Sequence, residues 1–531
     1  MAEHDVVVLG SGAAGLTAAL AAHDAGARVG LYEKSDTIGG TTALSGGVLW
    51  VPINKYAAAA GINDTRDQAL AYLLSLSHGL IDPEMAEVLV DTGPELLDWL
   101  EAKTPLRLHL VAGFPDYHPE RPGGKPRGGR SIEPDLFSLA ALGEWADRLG
   151  GKDVPLTISE TPLGGGTGFL TPDELAARAR DRLQGTGRAL VAALLKACLD
   201  RGIVPVTGAR AIELVRENGR VSGVRFEGFD VTARRGVVLA TGGFEWNPEL
   251  VRGFLRGPMR HPPSHPANTG DGLRMAMRLG ASLGNMREAW WVPVALLPQQ
   301  FEHDVQPVAL ILRERTLPRS LMVNRKGVRF TNEAANYNAL GAAFHEFDPT
   351  EFEYRNQPCW LIVDQEFVTR YGGLGSPPGE FPSWVIKADT LGELANKLGL
   401  TRDALEETVR RFNANAREGI DPDFHRGESA YDGWSGDQSL YPGPAATLGP
   451  IETAPYYAVE IHSSSLGTKG GPRTDTNAAV LDVDGAIIKG LYAAGNAMSA
   501  PTGMVYGGAG GTLGPAMVFG YIAGRHAAGA H

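Results

Sequence analysis

Three glycines and one acid near the start of this 531-residue chain carry the strongest chemical information in it. Gly10, Gly12 and Gly15, the last two flanking Ala13 and Ala14, follow a short apolar run, lead into an alanine-rich stretch, and are answered by a second apolar segment ending at Glu33. Strand, glycine turn, helix and a second strand closing on an acid form a dinucleotide-binding unit. Gly10 permits the tight turn, Gly12 lets backbone approach a pyrophosphate at the positive end of the helix, Gly15 lets that helix pack close, and Glu33 can accept from ribose hydroxyls.

The loop after Glu33 indicates which dinucleotide. Lys34, Gly39, Gly40, Thr41, Thr42, Ser45, Gly46 and Gly47 concentrate glycine and hydroxyl groups where an ordinary loop would not. This reads as backbone laid along a flavin, so the expected cofactor is FAD. The loop holds no histidine, so attachment is expected to be non-covalent. Later turns are expected to face the same cofactor: Ala240-Thr241-Gly242 after a buried strand, Asp271 at a helix start, Gly495-Asn496 after another strand, and Gly511 and Leu513 before a final helix with Pro515 in its first turn.

These sites need elements to hold them. Residues 64–103 show helical periodicity, 104–130 form a long loop rich in proline, glycine and aromatics, and 173–201 are helical again. Short β segments occupy 203–238, and a hairpin is signalled at Asp484-Gly485. Between about 290 and 465 the pattern changes to short strands, proline-broken loops and one amphipathic helix over 401–417. The predicted fold is α/β: a Rossmann-like FAD-binding domain, residues 1–290 and 466–531, interrupted by an inserted α+β catalytic domain, residues 291–465.

Composition narrows the function. A net charge of −12 without any basic stripe argues against nucleic acid. The two cysteines, Cys198 and Cys359, lie too far apart in sequence for metal-ligand spacing and suit buried packing in a reducing compartment. The 13 histidines offer no helical metal pair, since His261 and His265, though spaced i, i+4, are separated by Pro262 and Pro263, so no metal is assigned; His462 is left without a role. No run reaches the roughly 18 apolar residues of a membrane span. The apolar start carries Glu3 and Asp5 and encodes the cofactor turn, so it is not read as a secretion signal, and the expected location is the cytoplasm.

Several blocks together, Gly39-Gly-Thr-Thr-Ala-Leu-Ser-Gly-Gly, Phe114-Pro-Asp-Tyr117, Asn332-Glu-Ala-Ala-Asn-Tyr337, Leu466-Gly-Thr-Lys-Gly-Gly and Tyr506-Gly-Gly-Ala-Gly510-Gly, resemble the 3-ketosteroid Δ1-dehydrogenase branch of the FAD-dependent fumarate reductase superfamily. The resemblance covers nearly the whole chain. It implies desaturation of a cyclic ketone, with Tyr506 and the Gly510 N–H holding the ketone oxygen, Tyr337 removing the α proton, and Tyr117 lowering the Tyr337 pKa through a hydrogen bond. Phe114, Trp50 and Trp291 are candidates for lining a pocket for a flat apolar substrate, and an unidentified electron acceptor completes the cycle.

A 3-ketosteroid is the leading substrate and a smaller alicyclic ketone such as cyclohexanone the runner-up. Ser463-Ser-Ser465 stands where an acid often precedes Leu-Gly-Thr-Lys, and Tyr506-Gly-Gly replaces the common Tyr-Pro-Gly, so the pocket is expected to differ from the steroid pattern. Fumarate-reductase-like ene-reduction ranks third, because residues 502–510 carry no charge and offer no cationic grip for a dicarboxylate.

Overall fold

The computed structural model describes residues 2–298 and 305–530. Its first sheet has seven strands, and a parallel core within it runs in the order Val29–Tyr32, Ala2–Leu9, Asp230–Leu239, Ile487–Ala493. The central strands are continuous apolar runs, Val6 to Leu9 and Val237 to Leu239, because helices cover both faces. Ala13–Asp24 and the last helix, Leu513–Ala527, pack against one another: a Cβ on Gly520 or Gly524 would stand 2.5 or 2.2 Å from Ala14 or Ala18 backbone oxygen. Small residues there allow the two helices to touch almost backbone to backbone.

A second sheet has six strands, all antiparallel, with the order Val308–Leu310, Ala289–Leu296, Tyr456–Thr468, Cys359–Asp364, Ser320–Asn324 and with Ile386–Ala388 also paired to Tyr456–Thr468. Separate apolar clusters cover its two faces, one around Met322, Leu361 and Phe367 and one around Leu394, Leu405 and Phe412. The amphipathic helix expected over 401–417 is Arg402–Arg417, with Leu405, Val409 and Phe412 buried at helical spacing. Helices also form at Arg66–Ser75 and Pro83–Lys103, and at Pro172–Arg180 and Thr186–Asp200, and the hairpin pairs Ala479–Leu481 with Ile487–Ala493.

The first large apolar cluster belongs to the seven-stranded sheet. A small, largely aromatic cluster, with Phe114, Tyr117, Trp290, Tyr431 and Tyr506 buried and Tyr337 and Trp434 packed against it, draws on segments from every part of the chain. Cys198 and Cys359 are buried free thiols. Among the described residues no helix is long and apolar enough to cross a membrane, and no group of three or more His, Cys, Asp and Glu side chains could hold a metal.

Candidate functional site

One cavity runs from the glycine turn at the start of the chain to the aromatic cluster. At the first end, Gly10 sits at φ +106°, and a Cβ there would lie 2.2 Å from the Ala240 carbonyl oxygen. A Cβ on Gly15 would lie 1.9 Å from the Gly10 oxygen, so this glycine serves helix packing and does not itself line the cavity. Glu33 is buried in the wall: Ser11 N and Oγ donate to one carboxylate oxygen at 2.9 and 2.6 Å, and Ser35 N donates to the other at 2.8 Å. A carboxylate offers about four acceptor positions, so one remains for a ligand hydroxyl.

Lys34 and Asp271 meet at 3.0 Å, and Arg210 joins Asp271 at 3.1 Å. Lys34 also donates to the Ala267 oxygen and Thr269 Oγ1 at 3.1 and 2.7 Å, so its three donors are committed to closing the wall. Thr41, Thr42 and Ser45 line the cavity, but their oxygens mainly tie the loop together. Thr42 Oγ1 accepts from Ala13 N at 3.1 Å, Thr41 Oγ1 from His265 N and Asn268 Nδ2 at 3.1 and 2.9 Å, and Ser45 Oγ from Gly47 N at 3.1 Å.

Thr241 Oγ1, in contrast, is buried at the cavity wall with no protein partner. Its place on the cavity wall leaves this hydroxyl free to bond a ligand there. Together with Gly12, Ala13 and Ala14 at a helix N-terminus, Gly40, Gly46 and Gly47, Ala240 and Gly242, Gly495 and Asn496, and Leu513 at the start of the last helix, it lines a trough whose donors and small residues fit a dinucleotide such as FAD. Gly511 is an exception to the expected set. Its N–H donates to the Gly508 oxygen at 3.0 Å and it lies beneath the Tyr506 ring, so it shapes the turn without lining the cavity.

At the other end three phenols converge. Tyr117 Oη and Tyr337 Oη are hydrogen-bonded at 3.0 Å, although the residues are 220 positions apart. The Tyr117 ring lies edge-on to those of Tyr337, Tyr506 and Tyr431, with centroids 5.5, 5.1 and 4.9 Å away, and the Tyr337 and Tyr506 rings are 5.5 Å apart. Thr512 donates to Tyr506 Oη at 3.3 Å. Gly510 adopts φ +91°, its Cα close against the Leu49–Trp50 backbone, and lines the same cavity.

The loop carrying Tyr117 is anchored from below. Tyr117 N donates to the Gly507 oxygen at 2.9 Å, which also accepts from Tyr72 Oη at 2.6 Å, so the segments bearing Tyr117 and Tyr506 share one acceptor. Trp50 Nε1 donates to Asp116 Oδ1 at 2.8 Å, and Arg130 pairs with Asp116 and Asp64 at 2.8 and 2.7 Å. Burial pushes the Asp116 carboxyl up to about 6 despite the adjacent guanidinium.

Phe114 lines the cavity as expected, but Trp50 and Trp291 do not. Trp50 lies under the Gly508–Gly514 turn, and Trp291 packs against His345 with centroids 4.5 Å apart while its indole faces Glu288. Both are wholly buried, where apolar area is most stabilising. His462 is an interior side chain of the long strand Tyr456–Thr468 and does not reach the cavity.

The expected lowering of the Tyr337 pKa is reversed. Burial among aromatic rings raises the Tyr337 phenol well above its ordinary value, and Tyr117 and Tyr506 beside it add to the effect. Burial likewise raises Tyr117 and Tyr506. An apolar site disfavours the phenolate, and the neighbouring neutral phenols do nothing to offset that.

Sequence reasoning missed several residues. Tyr431 and Trp434 enter on the short helix Ala430–Ser435, Leu310 ends the strand Val308–Leu310, and Leu312 and Arg313 follow that strand. Lys469 is fully buried, donates to the Met504 and Val505 oxygens at 2.7 and 2.9 Å, and stands 4.1 Å over the Trp290 ring, which itself packs on Tyr506 at 4.8 Å. The one available signal was the lysine inside Leu466-Gly-Thr-Lys-Gly-Gly, a charge in an otherwise apolar and glycine-rich run.

Comparison with known proteins agrees with this geometry. The family described as FAD binding domain matches residues 5–513. The chain is 44% identical to 4-oxocyclohexanecarboxylate 2-dehydrogenase of Sinomonas cyclohexanicum, over 99% of this chain and 93% of that one. It is 42% identical to 3-oxosteroid 1-dehydrogenase of Mycobacterium tuberculosis, over 99% of this chain and 98% of that one. The crystal structure of 3-ketosteroid Δ1-dehydrogenase from Sterolibacterium denitrificans in complex with 1,4-androstadiene-3,17-dione superposes with a TM-score of 0.91 at 35% identity, covering 100% of both chains.

Proposed function

The chain belongs to the family of FAD-binding ketone dehydrogenases, and from that premise we propose that it introduces a double bond next to the carbonyl of a cyclic ketone. The observation that carries this reading is the convergence of Tyr117, Tyr337 and Tyr506 on the cavity that also holds the dinucleotide trough.

Gly10, Gly12, Glu33, Gly46, Gly47, Thr241 and the N-terminus of the last helix would hold the cofactor. Bound FAD supplies the acceptor for the hydride that leaves the β carbon. The Tyr506 hydroxyl and the Gly510 N–H bind the ketone oxygen and stabilise the negative charge that develops there. Tyr337 takes the α proton, the electron pair of that C–H bond becomes part of the new double bond, and Tyr117 holds the Tyr337 hydroxyl in place. Phe114, Trp434, Leu466 and Ile158 exclude water from the ring. An external electron acceptor, of a class this cavity does not define, completes the cycle.

We infer that residues 291–465 act as a catalytic domain inserted between two parts of the FAD-binding domain, which the separate apolar clusters of the six-stranded sheet support. The flavin is held without a covalent bond, since Gly40 to Gly47 offer hydroxyls and backbone only. A cytoplasmic location is supported by the two unpaired buried thiols.

The test is anaerobic mixing of the yellow holoenzyme with ketones from cyclohexanone to 4-androstene-3,17-dione. Bleaching of the flavin together with a product two hydrogens lighter is expected. Absence of bleaching with every ketone, alongside reduction of fumarate by the dithionite-reduced enzyme, overturns the reading. Acid precipitation should release all flavin to the supernatant; flavin retained in the pellet contradicts the non-covalent assignment.

A further inference from the structure

Among the described residues, the phenol end of the cavity carries one charged side chain, Arg313. Of the charged residues lining the whole cavity, Glu33, Lys34 and Asp271 belong to the dinucleotide end, and Arg313 stands beside Leu310, Leu312, Trp434 and Ser435 at the other. The described residues supply no carboxylate within ion-pair distance of it. Glu314 and Asp437 are the acids that act on it electrostatically, and both are engaged elsewhere: Glu314 Oε1 accepts from Leu374 N at 3.1 Å, and Asp437 accepts from Tyr371 Oη at 2.9 Å and from Ser439 N and Oγ at 3.0 and 2.6 Å. The Arg313 guanidinium makes one hydrogen bond, a long one of 3.3 Å to the Gly436 oxygen. A guanidinium has five donors, and a half-buried cation left so poorly matched is a binding group for an anion.

Its position relative to the phenols follows from the helix Ala430–Ser435. Tyr431 at the start of that helix packs on Tyr117, and Gly436 just past its end meets Arg313. Five residues of helix span about 7.5 Å. The helix thus contacts a phenol at one end and the cation at the other, and both line the same cavity.

Resting on the proposed ketone dehydrogenation, we propose that the substrate is a cyclic keto acid, with its carbonyl at Tyr506 and Gly510 and a carboxylate on the far side of the ring held by Arg313. The bidentate geometry of a guanidinium on a carboxylate fixes the ring in one orientation, so the C–H bonds beside the carbonyl are presented to Tyr337. The relative at 44% identity is named for a substrate of this chemistry.

The experiment compares kcat/KM for 4-oxocyclohexanecarboxylate, its neutral methyl ester and 4-androstene-3,17-dione, with an artificial electron acceptor, in the wild-type holoenzyme and in Arg313→Met and Arg313→Lys. The wild type is expected to prefer the acid over the ester by on the order of 10²-fold, Arg313→Met to lose that preference while keeping ester turnover within about 2-fold, and Arg313→Lys to keep part of it. Equal use of acid and ester by the wild type, faster turnover of the steroid, or an equal loss on acid and ester in Arg313→Met overturns the anion site and leaves ketone dehydrogenation standing. Oxidation of none of the three brings down the proposed function, and this inference with it.

Discussion

Tyr117 and Tyr337 share a hydrogen bond between their hydroxyls at 3.0 Å, and the residues next to them, His118 and Asn336, share a second at 3.1 Å. Two parallel ties between segments far apart in sequence hold the proposed base in one place. Because burial keeps the Tyr337 phenol protonated, the competent fraction grows as pH rises. The dehydrogenation rate should therefore climb from neutral to alkaline pH, and Tyr337→Phe should lose about 10²–10⁴-fold of it while retaining flavin. Rapid-mixing flavin reduction from pH 6 to 10 reads both; a flat profile with an active Tyr337→Phe removes this residue from the chemistry.

His118 sets the acid limit. Asn336 Oδ1 accepts from Ala339 N at 3.0 Å, so its Nδ2 is the donor facing His118 Nε2, which must be unprotonated to accept. Burial lowers the His118 pKa below its usual 6.5, with Arg121 lowering it further and Glu120 opposing. An unfolded chain takes up the proton near 6.5 while the folded one resists, so the stability held above that pH is lost as pH falls below it. His118→Gln should leave the rate at pH 7.5 nearly unchanged and flatten the acid decline in both rate and thermal midpoint.

Lys469 supports Tyr506 from behind. Replacing it with methionine leaves the Met504 and Val505 carbonyls without their buried donor, at about 1–3 kcal/mol for each. Lys469→Met should bind FAD yet turn over on the order of 10-fold more slowly, with lowered thermal stability. Burial also pushes the Lys469 ammonium down to about 7 from an ordinary 10.5. Between those values the unfolded state holds more protons than the folded one, so stability rises with pH across that window. Lys469→Met should abolish this part of the slope; an unchanged pH dependence of unfolding contradicts the assignment.

Gly510 tolerates no side chain. At φ +91°, a Cβ would stand 2.4 Å from the Leu49 carbonyl carbon, which is backbone and cannot move aside. Gly510→Ala should destabilise the protein by roughly 1–3 kcal/mol and displace the N–H from the ketone oxygen. Tyr506→Phe, which removes the other donor without strain, should lose about 10²–10³ in rate at unchanged stability. Urea unfolding beside steady-state kinetics separates the two; equal unfolding midpoints for both variants would count against the strain.

Features set by local backbone geometry and by short-range periodicity were legible in the chain before it was folded. The turn at Gly10, the helix opening at Ala13, the closing acid Glu33 and the helix Arg402–Arg417 follow from which φ values glycine permits and from which face of a helix is apolar. The resemblance of short motifs brought out Tyr117, Tyr337, Tyr506 and Gly510, all of which line one cavity. Trp50, Trp291 and Gly511 show its limit, because an aromatic ring or a glycine looks the same in a sequence whether it faces a cavity or the core behind it.

Tertiary structure alone decided the rest. Whether a phenol's pKa falls or rises depends on what surrounds it, and the rings that raise Tyr337 come from segments hundreds of residues away. Arg313 gives no local sign that it lines the cavity, and Lys469 none of which carbonyls it holds. The sequence determined the cofactor turn because torsions and spacing act within a few residues, while the phenols proposed to act on the ketone were marked by motif resemblance alone. Electrostatics and packing act through space, so the direction of the pKa shifts and the charge that reads the far end of the substrate existed only once the chain had folded.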